Sequence, residues 1–319
     1  MTGMKRFLRD ILLFLLPMVL YALLSAYLLP RMLGQVLGPG TQEQVDRQFT
    51  QLERQEPELL VLGNSRMYVG VDPDELAWPA FNFAHDNDAY DQAYYKLKHA
   101  LEQGGRIRYV VLGTDVFQFS FVSDKRDHAY ADHLGREYLH RNGPASRLWL
   151  KTRRHLANMD PRRLRMLWSH DPPQRLKENG QLVKQGQARE TDRVVRDVAR
   201  LQTQVTYFER ILDLCRTHDI RVAIVMPPVR RNEMDNYSTE EVAAFDAFIL
   251  GYVAPGRVDY LCYRDSPAFS LADYVDITHL SAEGARKFSR MLNEDLKSIW
   301  PEADPMGPGP SSPAPDGHS

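Results

Sequence analysis

The chain has 319 residues, 43% hydrophobic and 26% charged, which is enough apolar material to bury a core and unlike the composition of disordered chains. Forty Lys and Arg against 42 Asp and Glu give a net charge of −2, so the basic footprint of a dedicated nucleic-acid binder is absent and no nucleic-acid partner is expected. Two cysteines, Cys215 and Cys262, exclude a disulfide framework and are read as two separate buried thiols.

Residues 11–30 form a run of 20 residues without a charge, long enough as a helix to cross about 30 Å of hydrocarbon. Pro17 inside it is compatible with a bilayer helix. A cleaved signal peptide would have an apolar core of about 7–15 residues and an A-x-A-like site, which this segment lacks. The expectation is a retained transmembrane helix. Lys5, Arg6 and Arg9 precede it, and Arg31 is the only basic residue between it and Arg47. That asymmetry predicts a cytoplasmic N-terminus over residues 1–10, a single-pass inner (cytoplasmic) membrane anchor over 11–30, and a main domain on the periplasmic or extracellular side.

Residues 31–57 read as a linker and a short stalk helix, with Val45, Phe49 and Leu52 at i, i+4 and i+7. Residues 301–319 hold six of the 20 prolines and almost nothing apolar, so they are expected to be a disordered tail. Between them, residues 58–300 alternate β-rich runs with helical periodicity. Strands are expected at 58–63 (ELLVLG), 81–83, 108–113 (RYVVLG), 221–226 (RVAIVM) and 257–261. Helices are expected at 90–103, at 192–218, where Val194, Val198, Leu201, Val205, Phe208, Leu212 and Cys215 alternate spacings of four and three, and at 282–299 with Ser281 as N-cap. Near-continuous apolar strands separated by helices predict an α/β fold with a parallel sheet covered on both faces. In such sheets ligands bind beyond the carboxyl ends of the strands.

Those strand ends carry the candidate chemistry. The first strand runs into Gly63-Asn64-Ser65, where a hydroxyl stands at a strand-to-loop turn; Ser65 either points into a cleft or caps the next helix. Before the last helix lies Asp276-Ile277-Thr278-His279. An Asp and a His three apart can place a carboxylate on the imidazole Nδ1 and leave Nε2 free to take a proton from a serine hydroxyl. By itself, His279 could equally be structural. Together, a Ser after the first strand and an Asp-x-x-His before the last helix have the chain order of a Ser-His-Asp hydrolytic site.

This constellation resembles the SGNH (GDSL-like) hydrolase superfamily over most of residues 58–299. The resemblance implies a flavodoxin-like three-layer α/β/α fold, with Ser65 as nucleophile, His279 as general base and Asp276 as its orienting carboxylate. The family's second block, roughly N-x-G-x-x-G, is matched by Asn82 to Asn87, and Asn87 stands where the family has glycine. With Gly63 and Asn82, that block is expected at an oxyanion or substrate-binding site. The third block, usually G-x-N-D, reads Gly113-Thr114-Asp115-Val116, which places Asp115 where an oxyanion-hole Asn is usual; a carboxylate there would repel an oxyanion unless it were protonated, turned away or bound elsewhere. Membrane-anchored members that modify cell-surface polymers, among them the D-alanyl transfer protein and exopolysaccharide O-acetyltransferases, diverge in the same middle blocks and work beside a multipass membrane O-acyltransferase. The resemblance thus implies a membrane O-acyltransferase partner and a polysaccharide substrate.

An insertion at about 118–190 has no clean period. Residues 121–178 contain 13 Lys and Arg against seven Asp and Glu, which reads either as a surface for an anionic polymer or lipid headgroup, or as a solvated helical cap. Trp149, Trp168, Tyr130 and Tyr138 form either a carbohydrate platform or the insertion's own small core. His85 is a candidate cleft residue, and Arg230 and Arg231 after the fourth strand meet either substrate carboxylates or solvent. No paired metal-ligand spacing and no Gly-rich phosphate loop is present, so neither metal nor cofactor is expected. The function expected from residues and resemblance together is O-acetylation of a cell-surface polysaccharide through acyl-Ser65. An envelope esterase and a noncatalytic scaffold are the alternatives.

Overall fold

A computed structural model describes residues 2–24, 28, 41–123, 127–140, 174–192, 194, 196 and 198–301. The protein is α/β, with a five-stranded parallel sheet flanked by helices. Strands β1 (Leu59–Leu62), β2 (Ala80–Asn82) and β3 (Tyr109–Gly113) come first. A two-stranded hairpin, β4 (Arg175–Leu176) and β5 (Leu182–Val183), is separate from the sheet. Strands β6 (Arg221–Met226) and β7 (Val258–Cys262) complete the sheet, whose order is β2-β1-β3-β6-β7. Counting sheet strands only, this is 2-1-3-4-5, the doubly wound order in which the chain reverses direction between β1 and β3.

All five expected strands are present, and their alternation explains the flanking helices. Leu60, Leu62, Val110, Leu112, Val222 and Ile224 point into one core. Leu59, Val61, Tyr109, Val111, Ala223 and Val225 point into the other. A strand buried on both faces has no polar face to show, so its sequence is continuously apolar. The first core is closed by helices α2 (Thr41–Gln55), α4 (Tyr90–Glu102), α7 (Gln202–Thr217) and α9 (Thr239–Leu250). The second is closed by α3 (Ser65–Gly70) and α10 (Ala282–Ile299). Two short helices, α5 (Asp127–Tyr130) and α6 (Arg136–His140), lie within the insertion, and α8 (Arg231–Met234) follows β6.

Several expectations are corrected. The helix over 41–55 is not a stalk standing clear of the domain: Val45, Phe49 and Leu52 are buried in the first core, where Phe49 packs edge-on against Phe83. The helix read from residue 192 starts at Gln202, because the chain before it is held open from outside. Asn232 Nδ2 donates to the carbonyls of Glu190 and Asp192, Asn236 Nδ2 donates to that of Val194, and Leu201 N donates to Phe119 O. The Leu201 N–H spent on Phe119 is not available to a helical ladder. Cys215 is buried, and burial pushes its thiol up to about 12. Cys262 is exposed, because it ends the edge strand β7.

The N-terminal helix α1 runs Thr2–Leu23 and so takes in Lys5, Arg6, Arg9 and Asp10. Its uncharged part covers residues 11–23, about 20 Å of helix. Among the described residues no helix is long and apolar enough to cross a membrane; residues 25–27 and 29–30 of the expected span lie outside them. The exposed apolar side chains of α1 include Leu12, Leu13, Phe14, Met18 and Leu20.

Candidate active site

The site is assembled at the carboxyl ends of β1, β2 and β3. Gly63 (φ +142°) ends β1 and Gly113 ends β3, and both lie under Met67. A Cβ on Gly113 would sit 2.2 Å from Met67 Cγ, and one on Gly63 2.8 Å from the same atom. The chain therefore turns sharply from β1 into α3, with Asn64 as N-cap: its Oδ1 accepts from Arg66 N at 2.9 Å, and its Nδ2 donates to Gln118 Oε1. Ser65 is the first residue of α3, half-buried. Among the described residues no hydrogen bond joins it to His279.

The Asp-x-x-His turn is rigid. Val275 N donates to His279 O at 2.9 Å, and Tyr274 bridges Leu280, which closes residues 275–279 into a small hairpin. Inside it, Asp276 Oδ1 accepts from Thr278 N at 2.8 Å and His279 N at 2.9 Å, while Oδ2 lies 2.7 Å from His279 Nδ1. Burial alone would raise the Asp276 carboxyl, but His279 and the two backbone N–H groups outweigh it and hold it well below the usual carboxylate range. The ionised carboxylate assigns the proton to Nδ1, leaving the Nε2 lone pair free of Asp276. Ser281 Oγ then caps α10 by accepting from Gly284 N.

Lys184, just beyond β5, stands beside that imidazole. Its Nζ is 3.4 Å from Nε2 and 3.5 Å from Nδ1. A position equidistant from both ring nitrogens would collide with Cε1 if it lay in the ring plane, so the ammonium lies over the ring face. Asp86 Oδ1 is 3.9 Å from the same ammonium. The hairpin is locked in place by Gln181 Nε2 donating to Val69 O, and by Gly180, whose added Cβ would lie 2.1 Å from Asn82 O.

The remaining candidates divide sharply. Asn87 adopts φ +53°, the left-handed conformation that favours glycine and that Asn tolerates. Asn82 is buried and structural, donating to Met67 O and Val71 O at 2.8 Å each. His85 is buried and stacked on Tyr68, with ring centroids 4.8 Å apart. Tyr130 and Tyr138 are buried and bonded to Asp88 and Asp127; they belong to the first core of the sheet, against Phe49 and Tyr95, and form neither an exposed platform nor a separate core of the insertion. Trp149 and Trp168 lie outside the described residues. Arg230 is buried against the 189–192 segment, whereas Arg231 is exposed.

Asp115 is bound by Arg66. It is 2% exposed and forms an ion pair with Arg66, Nε to Oδ2 at 2.7 Å. The other side of that guanidinium binds Glu233 of α8. Burial pushes the Asp115 carboxyl up, against the pull of Arg66. Burial alone would lower Arg66, but Asp115 and Glu233 raise it. Arg66, Glu233 and Lys184 were not singled out from sequence. Arg66 lies next to Ser65, but its two partners are distant in the chain, and Lys184 lies in a segment without periodicity. Among the described residues no group of three His, Cys, Asp or Glu side chains could hold a metal ion. No protein-family model and no curated protein matches the chain.

Proposed function

We propose that the protein is an SGNH-like acyltransferase that carries an acyl group, most simply acetyl, on Ser65 to a cell-surface polysaccharide, tethered to the inner membrane by its N-terminal segment and served by a multipass membrane O-acyltransferase. The observation that carries the reading is the Asp276–His279 pair at 2.7 Å, at the same end of the sheet as a serine on a glycine-tight turn. The strand order and the left-handed Asn87 support it. The tether is supported by the apolar side chains that α1 exposes, the basic residues before them, and the uncharged run that continues to residue 30.

In this reading His279 Nε2 takes the Ser65 proton as Oγ attacks the acyl carbonyl, and returns it to the departing donor group. The acceptor hydroxyl then gives its proton to Nε2 as it attacks the acyl-serine, and Nε2 passes that proton to the departing Ser65 Oγ, which regenerates the free serine. Backbone N–H groups around Ser65 and Asn87 are the oxyanion donors in this reading. The test is labelling of the full chain with a fluorophosphonate. Adduct on Ser65 that disappears in Ser65→Ala and in His279→Ala is the expected result, and label that persists in Ser65→Ala refutes the assignment. Acyl transfer to a carbohydrate hydroxyl in preference to water separates this reading from an esterase.

A further inference from the structure

The turn that carries Ser65 and the turn that carries Asn87 are tied together at two places. At the first, His85 N donates to Gly63 O at 3.2 Å, which holds the start of the second turn against the end of β1. At the second stands Gln118, 1% exposed, in the turn after β3 where its N–H donates to Asp115 O. Gln118 Oε1 accepts from Asn64 Nδ2, and Gln118 Nε2 donates to Asp88 O at 2.9 Å. Asn64 caps α3, which begins at Ser65, and Asp88 N donates to His85 O at 3.1 Å across the turn that holds Asn87. Backbone groups at the two ends fix the direction of this relay. The Arg66 N–H can only donate, so Asn64 presents Oδ1 to it and Nδ2 to Gln118. The Asp88 carbonyl can only accept, so Gln118 presents Nε2 to it and Oε1 to Asn64. Either amide reversed would set donor against donor or acceptor against acceptor.

We propose that Gln118 is a positioning residue of the acyl transfer: it sets the separation between the Ser65 turn and the Asn87 turn, so that N–H groups from both meet one oxyanion. This rests on the acyl-transfer reading above and deepens it by naming what brings the two halves of the oxyanion site together. The far end of the relay is firmly anchored. The Asp88 carboxylate takes Lys96 Nζ on Oδ2 at 2.6 Å and the Tyr130 hydroxyl on Oδ1 at 2.7 Å, and the same ammonium donates to Phe83 O at 2.7 Å. Lys96 is fully buried, so releasing Asp88 would leave a charge out of water without its partner. Between this anchor and the cap of α3 a single buried amide spans the gap. Its length matters, because a displacement of about 1 Å in such a site can cost on the order of a hundredfold in rate.

The experiment follows fluorophosphonate labelling of Ser65 in the full-length chain against reagent concentration, which separates the maximal rate from the half-saturating concentration. Gln118→Met keeps the length and removes both hydrogen bonds. It is expected to lower the maximal rate about tenfold or more, with the half-saturating concentration changed less than about twofold. Gln118→Glu can rebuild the relay only with its carboxyl protonated, so its rate relative to wild type is expected to rise as pH falls. Melting curves accompany each variant, and Ile249→Ala, in the first core under α9, is the control for lost stability alone. A folded Gln118→Met labelled at the wild-type maximal rate overturns the proposal, and so does an Ile249→Ala chain slowed to the same degree. If Gln118→Met does not fold, Gln118→Glu decides, and a rate ratio that is flat with pH overturns the role. Absence of label on wild-type Ser65 refutes the acyl-transfer reading and takes this role with it, a result distinct from a labelled wild type that is indifferent to Gln118.

Discussion

Asp115 and Arg66 form an ion pair at 2.7 Å with both side chains nearly out of water, and this pairing ties the Asp115 carboxylate to the turn that carries Ser65. Arg66 follows Ser65 directly, so the backbone at Ser65 is fastened through one guanidinium to the segment after β3 on one side and α8 on the other. Asp115→Asn therefore does not create an oxyanion donor, as the sequence pattern suggested. It is expected instead to leave Arg66 undercompensated and to destabilise the fold by about 3–5 kcal/mol, as breaking a buried pair does. Urea unfolding of Asp115→Asn, Arg66→Met and the double variant is the check; additive losses would show that the two side chains do not interact.

Asn87 tests the second block. Its left-handed φ predicts that Asn87→Gly is close to neutral, whereas Asn87→Val costs about 1–2 kcal/mol or more. Equal stabilities for the two variants would contradict the described turn.

The Asp276 carboxyl titrates below its unfolded value, so it contributes stability that is complete above the unfolded pKa of about 3.9 and declines as pH falls towards the folded one. Carbon NMR of the Asp276 carboxyl is expected to show a midpoint below that of an ordinary aspartate, and His279→Ala is expected to raise it. An ordinary midpoint in the wild-type chain counts against the pair.

Topology is tested in cells. Alkaline phosphatase fused after residue 300 is expected to be active, and a chain lacking residues 1–40 is expected to leave the membrane fraction with its fold intact, because α2 and all that follows form the packed cores. An inactive fusion would reverse the orientation.

How much of this was legible in the sequence follows from what each signal encodes. The five strands were legible because burial on both faces writes an unbroken apolar run, as in Leu59 to Leu62. The Asp276–His279 turn was legible because both partners lie within four residues. The start of α7 was misread because apolar spacing counts side chains and does not register that Asn232 and Asn236 capture the carbonyls of residues 190–194. Arg66–Asp115–Glu233 and Lys184–His279 were invisible for a related reason: each joins residues far apart in the chain, and only the packed fold brings them together.

The position of the Asp-x-x-His turn ahead of the final helix has a consequence for when the protein becomes competent. Ser65 emerges early in synthesis, and Asp276 and His279 emerge near the end. Their hairpin is held by Ser281 N bonded to Asp273 O and by α10, where Gly284 packs so closely on Asp273 that an added Cβ would lie 2.2 Å from its carbonyl oxygen. Any opening that lifts α10 from the sheet takes the imidazole with it. Opening at the first turn of α10 and loss of the Asp276–His279 pair are therefore expected to be one event, so hydrogen exchange at residues 282–286 should follow the loss of that pair on heating.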